Sequence, residues 1–196
     1  MRCSVFIAPS VDGYIATEDG SVQWLESLEN NLSKEDEQSE LMTYFKSSFS
    51  TFIQSVDCMI MGRKLMEVLS SFNLSKEQWP YIETRVIVLS HTINEAPENL
   101  RDRVEIYSGS IPSLMRELES EGYKHVYVDG GQVITQFLEL ELIDDMTLTL
   151  APILLGSGIP LFNKLSKKIA LEDAKATAFP NNFVEIKYNV KYNSKI

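Results

Sequence analysis

The sequence predicts an α/β fold with a mixed, mostly parallel central sheet that closes in a C-terminal antiparallel hairpin. Three observations carry this. Short apolar runs alternate with helical periodicities as far as Leu140, the spacing of strand–helix–strand units. Two of those runs pass directly into glycine turns, Met61-Gly62-Arg63-Lys64 and Asp129-Gly130-Gly131-Gln132. After Asp145 the period falls to two, as in Met146-Thr147-Leu148-Thr149-Leu150, and no further helical pattern follows.

In order, residues 2–8 form an apolar strand, and residues 9–25 form a loop marked by the turn signals Asp12-Gly13 and Asp19-Gly20. Residues 34–54 read as one helix. Leu41, Tyr44, Phe45, Ser48, Phe49 and Phe52 recur at three and four, and Glu35, Asp36, Glu37 and Glu40 load the first turns, where the dipole favours acids. Residues 58–61 are the second strand, and 63–70 a short helix. Residues 85–89 and 104–107 are the third and fourth strands. A helix over 112–121 carries Pro112 at its start and Gly122 past its end. Residues 124–128 form the fifth strand and feed a helix over 132–140. Residues 146–150 are a strand, and 171–179 and 183–192 flank Pro180-Asn181-Asn182 as a hairpin. The apolar loop over 151–162 calls for burial against its own sheet, a second subunit or a ligand.

A length of 196 residues suits a single domain, and a hydrophobic fraction of 44% with 23% charged residues is that of a globular chain. No apolar run approaches the roughly 18 residues that cross a bilayer, and the N-terminal run is broken too early by Pro9 and Asp12 for a signal peptide. A cytoplasmic protein is expected. A net charge of -10 argues against nucleic acid. Cys3 and Cys58 read as reduced packing residues. With His91 and His125 as the only histidines, neither a metal site nor a Ser/His/Asp constellation is expected.

Each glycine turn stands where a strand opens a helix, and there unpaired backbone N–H groups and roughly half a positive charge favour phosphate. Gly130 and Gly131 let backbone approach a pyrophosphate without a Cβ between them. Two such turns in one domain point to a dinucleotide, and Arg63 and Lys64 supply the local cations that an acidic protein needs to hold one.

Seven segments, in order, resemble the dihydrofolate reductase-like family, in the branch of the reductase domain of the riboflavin-biosynthesis deaminase-reductase. They are 10–16, 57–64, 79–81, 86–90, 129–131, Asp144-Asp145 and the loop over 152–162. The resemblance implies a dihydrofolate reductase-like three-layer sandwich that binds NADPH. It places Gly62, Arg63, Lys64 and Leu65 at the cofactor phosphates, Ser90 and His91 at the 2'-phosphate and adenine ribose, and Gly130, Gly131, Gln132 and Val133 at the pyrophosphate. Ile15 and Ala16 fall where a mobile loop closes over the nicotinamide. Leu65 stands where the family usually has Thr, and His91 where an Arg or another polar residue is common. No deaminase zinc motif is present.

The activity implied is hydride transfer to a flat heteroaromatic substrate, pterin-like or ribosylaminopyrimidine-like, which requires positioning and one proton. Candidate acids are Asp12, Glu29 and Glu40. Trp24, Leu155 and Gly156 are candidate walls of the substrate pocket. The loop over 9–25, with few apolar anchors, is expected to be mobile until ligand closes it. Two other readings stay open: a nucleotide-binding module of the same fold with weak or no turnover, and a homodimer built on the 152–162 loop.

Overall fold

The computed structural model describes residues 1–26, 28 and 34–192. In chain order its elements are β1 (Arg2–Ile7), β2 (Tyr14–Ala16), α1 (Gln23–Glu26), α2 (Lys34–Glu37), α3 (Glu40–Gln54), β3 (Cys58–Gly62), α4 (Arg63–Ser71), β4 (Arg85–Leu89), β5 (Glu105–Tyr107), α5 (Ile111–Ser120), β6 (His125–Asp129), α6 (Gly131–Glu139), β7 (Asp145–Leu150), β8 (Ile159–Pro160), β9 (Ala170–Ala178) and β10 (Val184–Lys191).

Eight strands form one sheet in the order β5-β4-β3-β6-β1-β7-β10-β9. The first six are parallel neighbours, and β10 runs antiparallel between β7 and β9. A parallel sheet covered on both faces needs apolar residues on both, so its strands read as continuous apolar runs. Cys3, Val5, Cys58, Ile60, Val126 and Val128 face α5 and α6 through Leu114, Leu118, Ile134 and Phe137. Met59, Met61, Val86, Val88 and Tyr127 face the opposite way, toward Ile53 of α3 and Met66 of α4, with Phe6, Phe49 and Phe52 packed beside them. The result is three layers with the sheet in the middle. Both cysteines are free and buried, and burial pushes each thiol up to about 12, which keeps them unreactive.

The chain starts in the middle of the sheet at β1, builds outward through β3, β4 and β5, then returns to insert β6 between β3 and β1. The carboxyl ends of β1, β3 and β6 therefore meet where the winding reverses, the position at which open α/β sheets bind ligands.

Three expectations need correction. The helix over 34–54 is two, because Ser39 leaves helical geometry to cap α3: its Oγ accepts from the Met42 amide at 3.2 Å. The loop over 9–25 contains β2, which pairs with β8 from the apolar loop. No sequence periodicity announces strands of three and two residues. That apolar loop is also not buried as a whole, since Leu161 is in the core and Leu154 is 70% exposed.

Candidate functional site

The four longer helices begin in two different ways. Those of α3 and α5 start on serines, and Ser110 Oγ accepts from the Ser113 amide at 3.3 Å as Ser39 does for α3. Those of α4 and α6 start on Gly62 and Gly130, with no side-chain cap. An α-helix leaves its first amides without intrahelical partners. In α4 and α6 those donors face the open end of the sheet. The two starts are adjacent because β3 and β6 pair in register, Met61 beside Asp129. A Cβ built on Gly130 would lie 4.0 Å from the Gly62 nitrogen, and one on Gly62 would lie 3.3 Å from Val133 Cγ2. Gly130 holds φ at 90°, a conformation that costs other residues about 1–2 kcal/mol.

Gly131 is a glycine for a different reason. A Cβ there would collide with the carbonyl oxygen of Pro160 and lie 2.8 Å from that of Leu161. Its small size seats α6 against β8, a packing reason for glycine at this position.

The cations sit beside this cradle. Arg63 Nη1 pairs with Glu67 Oε1 at 3.0 Å, with the side chains 41% and 49% exposed. Lys64 is exposed and has no ion pair among the described residues. Leu65 packs into the core layer beneath α4, which is what an apolar residue at that position does. Gln132 is exposed on the first turn of α6, and Val133 is buried against Gly62. Ser90 is buried, and its Oγ accepts from the amides of Thr92 and Ile93 at 3.2 and 3.3 Å. It holds the turn on which the exposed His91 stands.

Asp12 does not have the environment of an acid. Its carboxylate accepts from Ser10 Oγ at 2.6 Å, the Leu155 amide at 3.1 Å and the Gly156 amide at 2.7 Å. The Ser10 hydroxyl first, then those amides, hold the carboxyl below the usual carboxylate range. An exposed, ionised carboxylate of this kind ties loops together and has no proton to give near neutral pH. The same bonds account for Leu155 and Gly156, whose amides serve Asp12. They also bear on loop closure, because residues 10–16 are held by the Ser10–Tyr14 and Val11–Ile153 backbone bonds, the bond from the Leu161 amide to the Gly13 carbonyl at 2.8 Å, and the β2–β8 pairing. The paucity of anchors read from composition is thus corrected for this half of the loop. Ile15 packs on the α5–α6 side of the core, and Ala16 is buried and pairs with Ile159 of β8.

A carboxyl quoted in the sequence without a role stands at the second glycine turn itself. Asp129 is the last residue of β6. Its Oδ2 accepts from Tyr127 Oη at 2.6 Å and its Oδ1 from the Gly130 amide at 2.7 Å. Burial raises its pKa above the ordinary carboxylate range, against the lowering effect of those two donors. A carboxyl placed immediately before a glycine turn, two residues after a tyrosine on the same strand face, was the available signal.

The other candidates separate. Trp24 packs with Met42, Phe179 and Phe183 in a satellite cluster beneath α3. Glu40 is exposed at the first position of α3. Glu29 lies outside the described residues. Among the described residues no group of three or more His, Cys, Asp or Glu could hold a metal, and no helix is long and apolar enough to cross a membrane.

A dihydrofolate reductase-like sheet with paired glycine turns at its carboxyl ends defines the class. The chain belongs to the RibD C-terminal domain family, whose model matches residues 3–184, and members of this family are usually reductase domains. It is 33% identical, with a TM-score of 0.81 over 98% of this chain and 100% of the other, to the crystal structure of a putative riboflavin biosynthesis protein from Shewanella sp. PV-4. It is 28% identical to the uncharacterised protein YwjB of Bacillus subtilis (strain 168), over 85% of this chain and 86% of that one. A dihydrofolate reductase from Enterococcus faecalis complexed with NADP(H) shares the fold, at 13% identity and a TM-score of 0.59 over 97% of both chains.

Proposed function

We propose that this protein is an NADPH-dependent reductase that transfers a hydride to a small heteroaromatic substrate, pterin-like or ribosylaminopyrimidine-like. The observation that carries the reading is the pair of uncapped helix starts at Gly62 and Gly130, on adjacent parallel strands, with Arg63 and Lys64 beside them. Donors, dipole and cations there suit a pyrophosphate and a 2'-phosphate. The complex of the Enterococcus protein with NADP(H) is in keeping with it.

In this reading the amides that open α4 and α6 hold the pyrophosphate, and Arg63 moves from Glu67 to the 2'-phosphate, with Lys64 and the turn at Ser90 and His91 in support. Bound, the reduced nicotinamide would supply the hydride. A carbon that accepts a hydride leaves an electron pair on its neighbouring nitrogen or oxygen, and that atom needs a proton. Asp129, at the turn between the two helix starts, is the group placed to carry one, and burial shifts its carboxyl toward the neutral form. A cytoplasmic location and a homodimer belong to the same reading, and a monomer by light scattering removes the dimer.

The test is absorbance loss at the reduced-nicotinamide band with a panel of pterins and aminopyrimidines. Wild-type protein should turn over at least one of them, and Asp129→Asn should lose about 100-fold or more in kcat while binding NADPH as before. Arg63→Ala should weaken NADPH roughly 10-fold and NADH much less. NADPH binding without turnover of any substrate supports instead a nucleotide-binding module, which the engagement of Arg63 by Glu67 would suit.

A further inference from the structure

We propose that Tyr127 is a positioning residue for the proton on Asp129, its hydroxyl exchanging one hydrogen bond between the Asp129 carboxyl and the Phe6 carbonyl as that carboxyl titrates. This rests on the reading of Asp129 as the proton donor of the reductase.

Tyr127 Oη lies 2.6 Å from Asp129 Oδ2 and 3.0 Å from the Phe6 carbonyl oxygen, and a phenol has one proton for two acceptors. When Asp129 is ionised the proton goes to the carboxylate, the stronger acceptor, and the Phe6 oxygen receives none from the phenol. When Asp129 is protonated, its own O–H donates to the phenol oxygen and the phenol donates to Phe6, so the chain runs Asp129 to Tyr127 to Phe6 with every member satisfied. Both states use the same heavy-atom positions. No rearrangement separates them.

The surroundings hold this pair in place. Tyr127 is 2% exposed. Phe52 packs edge-on at 5.1 Å and Phe49 at 6.5 Å between ring centroids, so the ring has no other place to go. Desolvation keeps the phenol neutral well above its ordinary range, so it acts as donor and relay and does not ionise. The groups facing Asp129 are few. From its own strand come Tyr127 and the Gly130 amide, and from the segment before β4 comes the buried phenol of Tyr81, also raised by burial. Neighbouring β1, α3 and α4 offer Phe6, Phe49, Phe52, Leu65 and Met66, all apolar, and no ion pair reaches Asp129 among the described residues. Among the described residues Tyr127 is therefore the one side chain that donates to this carboxyl, and it holds the pKa down against the upward pull of burial.

The test is the titration of the Asp129 carboxyl by NMR in protein labelled with 13C at aspartate Cγ, with the signal identified by its loss in Asp129→Asn. Tyr127→Phe keeps the ring but removes a charge-assisted bond from the ionised form and only a neutral one from the protonated form. The midpoint should rise by about 1 pH unit. Tyr127→3-fluorotyrosine makes a stronger donor and should lower it, and this second variant reads the same coupling should the phenylalanine protein fail to fold. Stability gives a further readout. A carboxyl raised in the folded state contributes stability that is complete below its unfolded pKa and is lost as pH rises through the folded one, so the loss should move to higher pH in Tyr127→Phe and vanish in Asp129→Asn. An unchanged or lowered midpoint in Tyr127→Phe, or an unchanged one with fluorotyrosine, overturns the proposal. Absence of NADPH-dependent turnover by the wild type overturns the reductase reading alone, because the carboxyl titration needs neither cofactor nor substrate.

Discussion

Two pairs of helices in this molecule solve the same problem differently. Every helix must satisfy its first amides, and α3 and α5 do so with the hydroxyls of Ser39 and Ser110, each worth about 1 kcal/mol. The other pair, α4 and α6, forgoes that stabilisation at Gly62 and Gly130. The capped helices open elsewhere along the sheet, α5 after the edge strand β5 and α3 near β10 through Tyr44 and Glu185, whereas the uncapped ones open side by side where β3 and β6 end. Donors left without a side-chain cap, in register on neighbouring strands, are suited to an anion that is not part of the chain. That difference, more than either glycine alone, is the physical case for an anion site.

The largest effect expected from breaking the difference comes with Gly62→Asp. Gly62 has φ of -91°, which any residue adopts, and the new Cβ asks only that Val133 give by a few tenths of an ångström. The carboxylate caps α4 as Ser39 caps α3, and it places a negative charge where the proposed phosphate would lie. NADPH affinity measured by tryptophan fluorescence should fall by about 100-fold or more, with stability within ~1 kcal/mol of the wild type. Unchanged affinity would remove α4 from the site.

Gly131→Ala sharpens the contrast within α6. The methyl group meets the Pro160 carbonyl, so urea unfolding should show a loss of roughly 1–3 kcal/mol. The NADPH affinity of the protein that remains folded should change little. A large affinity loss at full stability would restore Gly131 to the phosphate cradle. The smallest effect belongs to Ser110→Ala, which should cost about 1 kcal/mol and leave NADPH binding untouched. Weaker binding there would mean that the capped helices also serve the ligand.

The sheet and both glycine turns were legible because they depend on local pattern, on apolar runs such as Cys58–Gly62 and on glycine at strand ends. Residues whose role depends on distant partners were not. Asp12 looks like a loop acid until Leu155 and Gly156, more than a hundred positions on, are seen to donate to it. Gly131 reads from sequence as a phosphate glycine, and the packing of the Pro160 carbonyl against it is a second reason for glycine that only the fold shows. The break at Ser39 inside an acidic helical run was written in the sequence, since serine competes for backbone bonds, but the apolar periodicity on either side masked it. Asp129 stood in plain view before Gly130. Tyr127 two positions earlier was the local signal; the burial that raises the carboxyl and the bond that joins the two groups come only with the fold.

The central claim is that the open amides of α4 and α6 hold the cofactor's phosphates, and the most direct measurement is a 15N amide titration of the wild-type protein with NADPH. The largest shifts should fall on the amides of Lys64 and Leu65 at the start of α4 and of Gln132 and Val133 at the start of α6, with those of Met42 and Ser113, already bonded to serine, left in place. Shifts centred on α3 and α5, or none at α4 and α6 under saturating NADPH, would contradict the account.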